Sequence, residues 1–597
     1  MRGIFGMISP EKYVDFSSLD ILEKSAKRRG GAYETLIYDG YDSYQVVNGN
    51  CKAVKAANTH KPSVLIGITE AVNNLPDYQP AYNTDVCIVN SGLILNNTDR
   101  EIDSSSNNND ILLTLAEGCA NDEEAFAELP NKIMQVCSGC INVAIILPKL
   151  GKLLLFSNSG SLYLGRLREN VYFASEKAVL KNLKCTDIKQ LLNSHTIFDI
   201  PYKSEGFTIP LKTTSAKKIF NFHYNKNEDN LLQYDKPTLR RCSKCLLPET
   251  MPFIKFDEAG VCNYCHTYKL KNTLKSKDEL TKVLEPYRKK DGVECIVPFS
   301  GGRDSCYGLH VIVNELKLKP ITYTYDWGMA TDLAMRNISL MCSKLGVENI
   351  VVSADIAKKR ENIRMNLTAW LKHPQLGMLN LLTAGDKHFF KYIETIKKET
   401  GVALNLWSIN PLEVTHFKTG FLGLAPEFTK QKVYNNGLFK QIHYHSLRIK
   451  EMLKSPGYFN SSIFDTLSGE YYRSFTKKTD YYHIYDYWQW NESIINTVLD
   501  SYGWEKAPDT HTTWRIGDGT AAFYNYVYYT VAGFTEHDTF RSNQIREGQL
   551  SREEALAMIE DENRPRYQNI KWYLDVLGFD FETVIKVINN IPKMYNC

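Results

Sequence analysis

Val293-Glu-Cys-Ile-Val-Pro-Phe-Ser-Gly-Gly-Arg-Asp-Ser305 sets a short apolar run against two adjacent glycines and a polar stretch. The run reads as a buried strand over Glu294–Pro298, with a helix expected from about Ser305. Between them, Gly301 and Gly302 let the backbone turn tightly and bring N–H groups against an anion. The following helix points its positive end at the same spot. Ser300 and Ser305 add hydroxyl donors, and Arg303 and Asp304 complete the loop. It is not a Walker loop, because the spacing Gly-x-x-x-x-Gly-Lys-Ser/Thr is absent. A Gly-Gly turn can join any strand to any helix, so context decides. Here strands at Pro320–Tyr325 and Asn349–Ser353 alternate with helical stretches, which predicts a parallel sheet with crossover helices. Asp326, at the end of the second strand, either serves a nucleotide or caps a turn.

Upstream of this unit, Cys242-x-x-Cys245 and Cys262-x-x-Cys265 are separated by sixteen residues. Two such knuckles can place four thiolates tetrahedrally around Zn²⁺, with no open position, so the expected site is structural. It would also order a segment too short for a core of its own. His266 reads as a bystander, and Cys137-Ser-Gly-Cys140, lacking a partner pair, reads as two core thiols.

The first 235 residues show short Val-, Ile- and Leu-rich runs bounded by Gly, Asn and Pro, such as Ser63–Ile68, Val86–Asn90, Cys140–Leu147 and Lys152–Ser157. These are expected strands. Residues 103–110 read as a polar loop ending at a helix N-cap, and residues 222–238 as a linker. The last stretch, from about 480, reads as mostly helical, with Ser551-Arg-Glu-Glu554 as a capping box. The expected units are therefore 1–235, 236–275, 276–480 and 481–597. The 597 residues carry a net charge of only +3, which gives no reason to expect nucleic acid as a partner. The basic run Lys358-Lys-Arg360 reads as a solvated helix face. No stretch has the apolar length of a membrane span, and the N-terminus lacks a signal-peptide pattern, so a cytoplasmic location is expected.

Further polar segments follow the loop. They are Leu371–Met378 with Ala384-Gly-Asp-Lys-His388, Asn410-Pro-Leu-Glu413 with His416–Gly420, and Thr513–Thr520 with Glu536–Asn543. In this order, with the cysteine knuckles and Ser-Gly-Gly-Arg-Asp-Ser, they resemble the N-acetyl sugar amidotransferases, a group of ATP-pyrophosphatase ligases. The resemblance runs from about Arg241 to Arg566. It implies that ATP adenylates the acetamido oxygen of a nucleotide-linked N-acetyl sugar, and that ammonia displaces AMP to give an acetamidino sugar for surface polysaccharide. Lys387 and Lys418 are then candidates to neutralise the leaving pyrophosphate, against a salt-bridge role; Asp304 and Asp386 are candidate Mg²⁺ contacts. Glu413 either handles ammonia and its proton or makes a structural hydrogen bond. Arg515 and Arg541 either hold substrate phosphate or carboxylate or make helix-surface pairs.

The opening Met1-Arg-Gly-Ile-Phe-Gly6 resembles class II glutaminase domains, with Arg28-Arg-Gly30, Gln79-Pro80, Val89–Asn96 and Tyr172–Glu176 following in order. Those domains use a Cys at position 2 as nucleophile; here it is Arg2. Gly67-Ile-Thr-Glu70 also lacks the arginine expected to hold glutamine's carboxylate. The resemblances together imply an α/β protein: an inactive glutaminase-like α+β (Ntn-type) sandwich, a zinc knuckle, a parallel-sheet ATP-pyrophosphatase (HUP-like) domain and a helical C-terminal part. Ammonia would come from a separate glutaminase paired with a cyclase-like channel protein. The rival expectations are an asparagine-synthetase-like ligase acting on a carboxylate, a sulfur-transferring tRNA modifier and a non-catalytic scaffold.

Overall fold

The structure is a computed structural model of the chain. It describes residues 2–10, 15–29, 33–39, 43–52, 62–70, 80–96, 108–201, 207–208, 225–383, 386–426 and 438–595. Expectations placed on Gly30, Gln79, residues 103–107, residues 222–224, Ala384 and Gly385 lie outside these.

The first unit is built on two sheets. One has eight strands, with Arg2–Ile8 at its centre between Asn170–Ala174 and Val64–Glu70. The other has five antiparallel strands, among them Cys87–Asn90, Asn142–Leu147 and Lys152–Ser157. Alternate residues of each strand share a face, so Ile4, Ile66 and Ile68 from one sheet meet Val89, Ala144, Ile146 and Leu155 from the other in one core. Helix Phe16–Lys27 covers the outer face of the first sheet; helices Asn108–Glu117 and Glu123–Val136 cover that of the second. This layered α+β sandwich is the arrangement expected of the first unit. Cys137 and Cys140 are buried free thiols, both raised to about 11 by burial.

Residues 242–265 form a compact knuckle that docks on the C-terminal helices. Thr250 donates to the carbonyl of Ala532, at 2.6 Å, and Arg241 pairs with Asp538 at 2.6 Å. Beyond it lies a five-stranded parallel sheet in the order Asn349–Ser353, Pro320–Asp326, Cys295–Pro298, Asn405–Trp407, Tyr481–His483. The sheet thus takes its last strand from the stretch beyond 480. Its strands are near-continuous apolar runs because both faces are covered: Ile296, Ile321 and Ile350 pack against Phe390, Ile393 and Ile396, while Cys295 and Val297 pack on the other side against Ile338 and Met341. The C-terminal part is helical from Glu492–Tyr502 to Phe581–Asn589, and Ser551–Glu554 forms the expected reciprocal cap. No helix among the described residues is long and apolar enough to cross a membrane.

One expectation fails. Lys358 is exposed, but Lys359 and Arg360 are buried. Lys359 pairs with Asp465 at 2.7 Å, and the Arg360 guanidinium donates to the carbonyl of Gly328 at 2.9 Å. Both cations lie on the packed face of helix Ile356–Lys372, where partners on neighbouring elements offset their desolvation.

The sandwich clasps the outer edge of the parallel sheet. Arg28 pairs with Glu176 and with Glu399, and Arg29 pairs with Glu176 at 2.8 Å. Arg29 also donates to the carbonyl of Asn349, at 3.2 Å, while the N–H of Ser353 donates to the carbonyl of Arg28, at 2.9 Å. Tyr163 donates to Glu348, whose carboxyl is pushed up to about 8 by burial. On a second seam, Ser339 accepts from the N–H of Cys140 at 2.7 Å and donates to the carbonyl of Leu93 at 2.6 Å.

Candidate functional site: a cleft at the sheet's switch point

In open parallel sheets, ligands settle beyond the carboxyl ends of the strands where the strand order reverses. Here that point lies between Cys295–Pro298 and Asn405–Trp407. A cavity of about 880 Å³ opens there, lined by the loops that leave both strands and by the later polar segments. Ser300, Gly302, Arg303, Asp304, Ser305, Asp386, Lys387, Glu413, Lys418 and Arg515 all line it. Segments more than two hundred residues apart in sequence are thus brought to one place.

The loop is shaped as its glycines require. Gly301 has φ +73, and a Cβ there would stand 2.4 Å from the carbonyl oxygen of Ala334. The helix begins at Arg303, two residues before the expected start, with Gly302 as its cap. No side chain caps it, so its first N–H groups and the positive end of its dipole are free for an anion. Ser300 and Ser305 stand 3.2 Å apart, and Ser305 donates to the carbonyl of Gly302 at 2.9 Å. Behind the loop, Arg303 is 2% exposed, bonded to Glu492 at 2.6 Å and to Thr513 at 3.0 Å. Asp304 accepts from the indole of Trp490 at 2.7 Å. These two side chains brace the loop as well as facing the cleft.

The opposite wall is a charge network. Lys418 pairs with the fully buried Glu536 and lies 4.5 Å from the Tyr524 ring centroid. Burial lowers the affinity of Lys418 for its proton, against the opposing pull of Glu536. Burial works to raise the Glu536 carboxyl, but Arg515 and Lys418 outweigh it and hold the group well below its ordinary range. Arg515 donates to the Tyr524 hydroxyl at 2.7 Å and takes φ +54, a backbone conformation that L side chains rarely adopt. Glu413 accepts from the indole of Trp514, and its carboxyl is pushed up to about 7, chiefly by removal from water and then by the nearby Asp304 charge, against Arg515. Lys387 pairs with Asp386 at 2.5 Å.

Two expected contacts lie elsewhere. Arg541 does not line the cleft: it is 1% exposed and bridges Glu492 and Glu562, holding one cleft wall from behind. Asp326 is buried at its strand end and accepts from the N–H of Gly328 at 2.9 Å, the turn-capping alternative. Sequence reasoning placed Trp514 and Glu536 inside its polar segments without giving either a role, and did not single out Tyr524. Aromatic and acidic residues in a helical stretch read as core and cap, so the arginines of those segments drew the assignment instead.

The four cysteines Cys242, Cys245, Cys262 and Cys265 converge, with Sγ atoms within 4.8 Å of one another. The closest pairs are Cys245–Cys262 at 3.8 Å and Cys242–Cys265 at 4.0 Å. Four sulfurs at ~2.3 Å from one Zn²⁺ stand ~3.8 Å apart, so the set fits a single tetrahedral ion. Around an iron–sulfur cubane, where each thiolate binds its own iron, the sulfurs stand farther apart. Arg546 donates to Cys245 at 3.1 Å and Cys265 at 3.3 Å, and the N–H of Cys262 to Cys242 at 3.2 Å, all favouring thiolates. His266 is not a ligand; it pairs with Asp257 at 2.7 Å.

No protein family model matches the sequence, and no curated protein matches it. Three solved structures give weak likenesses. A glutamine phosphoribosylpyrophosphate amidotransferase from B. subtilis shares 13% identity over 70% of this chain and 92% of that one, with a TM-score of 0.27. A predicted glutamine amidotransferase from Pseudomonas aeruginosa shares 9% over 33% and 96%, with a TM-score of 0.19. A U34-tRNA thiolase from Methanococcus maripaludis, solved with its 4Fe-4S cluster, shares 14% over 54% and 90%, with a TM-score of 0.21. Scores this low carry no assignment. The class rests on the chain's own geometry: a layered α+β sandwich, a four-cysteine knuckle and a parallel α/β sheet whose switch-point cleft begins at an uncapped helix end.

Proposed function

We propose that the chain is an ATP-dependent amidotransferase that converts the acetamido group of a nucleotide-linked N-acetyl sugar into an acetamidino group. The observation that supports this most is the composition of the cleft. An anion-ready helix end, a pair of cations and a carboxylate with a proton affinity near neutrality face one cavity. In this reading the Ser300–Ser305 loop grips the β- and γ-phosphates of ATP. The acetamido oxygen attacks the α-phosphorus, and pyrophosphate leaves. Ammonia then adds to the activated carbon, the C–O bond breaks, and AMP departs with the oxygen. An amide carbon is a poor electrophile and its oxygen a poor leaving group; phosphorylation of the oxygen remedies both. Glu413 takes the proton that ammonia loses, and Lys387, Lys418 and Arg515 offset charge on the phosphates. Mg²⁺ would bind near Asp304 and Asp386 and neutralise the leaving pyrophosphate. Zn²⁺ in the knuckle would hold it on the C-terminal helices.

The sandwich domain is read as a glutaminase fold without glutaminase chemistry, since Arg2 supplies no nucleophile. Ammonia then comes from a separate glutaminase acting through a channel partner, in the cytoplasm. The test is product mass spectrometry with MgATP, labelled ammonium and a panel of UDP-N-acetyl sugars, with labelled glutamine in a parallel reaction. Label entering a sugar from ammonium alone, with AMP released, is the expected result. In further reactions supplied with aspartate or a sugar acid, label entering those acids instead would make the chain a carboxylate ligase, as the fused sandwich domain would fit.

A further inference from the structure

Helix Leu438–Lys454 turns a polar stripe toward the cleft. Gln441, Tyr444, His445 and Arg448 follow the i, i+3, i+4, i+7 spacing of one helical face, and all four line the cavity. Arg448 is only 7% exposed. Its guanidinium lies 5.2 Å from the centroid of the Tyr444 ring, and it forms no hydrogen bond or ion pair among the described residues. The carboxylates along these helices meet other groups. Glu451 gives one oxygen to Lys454 at 2.8 Å, its other oxygen being buried without a hydrogen bond; Asp465 holds Lys359 at 2.7 Å and Asn362 at 2.6 Å; and Glu470 faces Arg473 at 3.6 Å. A guanidinium withdrawn from water without a counter-charge is expensive. Of the other buried arginines, Arg29, Arg303 and Arg541 each have a carboxylate and Arg360 has the carbonyl of Gly328. Arg448 has neither among the described residues, and it faces the cavity.

We propose that Arg448, seated on Tyr444, binds the diphosphate of a nucleoside-diphosphate-linked acceptor, in a subsite distinct from the Ser300–Ser305 loop that takes ATP. This rests on the amidotransferase reading for the identity of the acceptor. The guanidinium's planar fork suits two phosphate oxygens, and the flat ring beneath it fixes the plane of the fork before the ligand arrives. Lys387 and Arg473 line the same cavity, each beside a carboxylate of its own, Asp386 and Glu470. A cavity of about 880 Å³ is at the upper end of small-molecule sites, roomy for more than one ligand.

The test is calorimetric titration of the whole protein, presaturated with a non-hydrolysable ATP analogue, with UDP, GDP, CDP and dTDP. The wild type is expected to bind at least one diphosphate while the analogue stays bound. Arg448→Gln should weaken that diphosphate by about 10- to 100-fold, with the analogue's affinity unchanged. Arg448→Lys, which keeps the charge but not the fork, should fall between. Thermal melts of the free variants identify any loss of fold. Equal diphosphate affinity in wild type and Arg448→Gln overturns the proposal. So does weakening of the ATP analogue alone, which would place Arg448 in the ATP site, and so does failure of the wild type to bind any of the four. Arg448-dependent binding without transfer of label from ammonium leaves the subsite standing and removes the amidotransferase reading instead.

Discussion

Two of the molecule's strands lead into polar turns that have opposite fates. After Cys87–Asn90 the turn is packed shut. Asn90 turns its amide onto its own loop, bonding both the N–H and the carbonyl of Gly92 at 3.0 Å, and a Cβ on Gly92 would stand 1.8 Å from the carbonyl oxygen of Cys140. After Cys295–Pro298 the turn opens on a cavity of about 880 Å³, with an uncapped helix end facing it. In the first, the amide of Asn90 is satisfied within its own loop, and the buried Ser91 hydroxyl is the one side-chain group of the turn left without a hydrogen bond. In the second, Arg448 has no hydrogen bond or ion pair among the described residues, Arg515 accepts a strained backbone, and Glu413 keeps a proton affinity far above its ordinary value. The contrast teaches where chemistry remains: unsatisfied or perturbed groups mark a working surface, and satisfied ones mark a structural surface.

The largest test of this contrast is Asp304→Asn. It keeps the shape beside Trp490 while removing the charge from the loop. Turnover measured as AMP release should fall about 1,000-fold with the melting temperature nearly unchanged. Full activity would remove the loop from the chemistry. Next is the knuckle. Cys262→Ser, or a strong chelator, should cost about 3 kcal/mol or more of stability, read from denaturant unfolding, and elemental analysis should find about one zinc per chain and no iron. Iron and sulfide in fourfold amount would replace the single-ion assignment.

Glu413→Gln comes third. With ammonium as donor, kcat/KM should fall about 100-fold and lose the limb that titrates near pH 7 in the wild type. Stability should move the other way. A carboxyl whose pKa is raised on folding favours the protonated folded state, so the wild type should lose stability as pH rises from about 4.5 to about 7. The Gln variant should lack that part of the slope. A pH profile identical in both proteins would make Glu413 a structural acceptor for Trp514. The smallest expected effect is none at all: Arg2→Cys should release no glutamate from glutamine. Measurable hydrolysis would mean that the sandwich kept its pocket and lost only its nucleophile, and the contrast above would narrow to one residue.

Much of the architecture was legible because strand periodicity and glycine placement are local. The run at 293–305 predicts its strand, turn and helix to within two residues, and the cysteine spacing predicts a convergent set. The cleft was half legible. Ten of its walls' residues stand in motifs that look polar for a reason, while Arg541 and Asp326, each left open between a ligand contact and a structural role, have neighbours of their own in the packed chain. Lys359 and Arg360 looked solvated because a charge run says nothing about which face of a helix is covered. Arg448 carries no motif at all. It stands in an ordinary amphipathic helix, and what distinguishes it in three dimensions is the lack of an ion pair among the described residues.

The clasp between the sandwich and strand Asn349–Ser353 has a consequence for the molecule's solubility. That strand is an open edge of the parallel sheet, and an unprotected edge offers a row of hydrogen-bonding groups to any passing chain. Arg28 and Arg29 occupy both ends of the row, taking the carbonyl of Asn349 and the N–H of Ser353. The sandwich thus acts as a lid against self-association, whatever chemistry it has or lacks. A chain cut at residue 235 would leave this edge bare and ready to pair with its own copies.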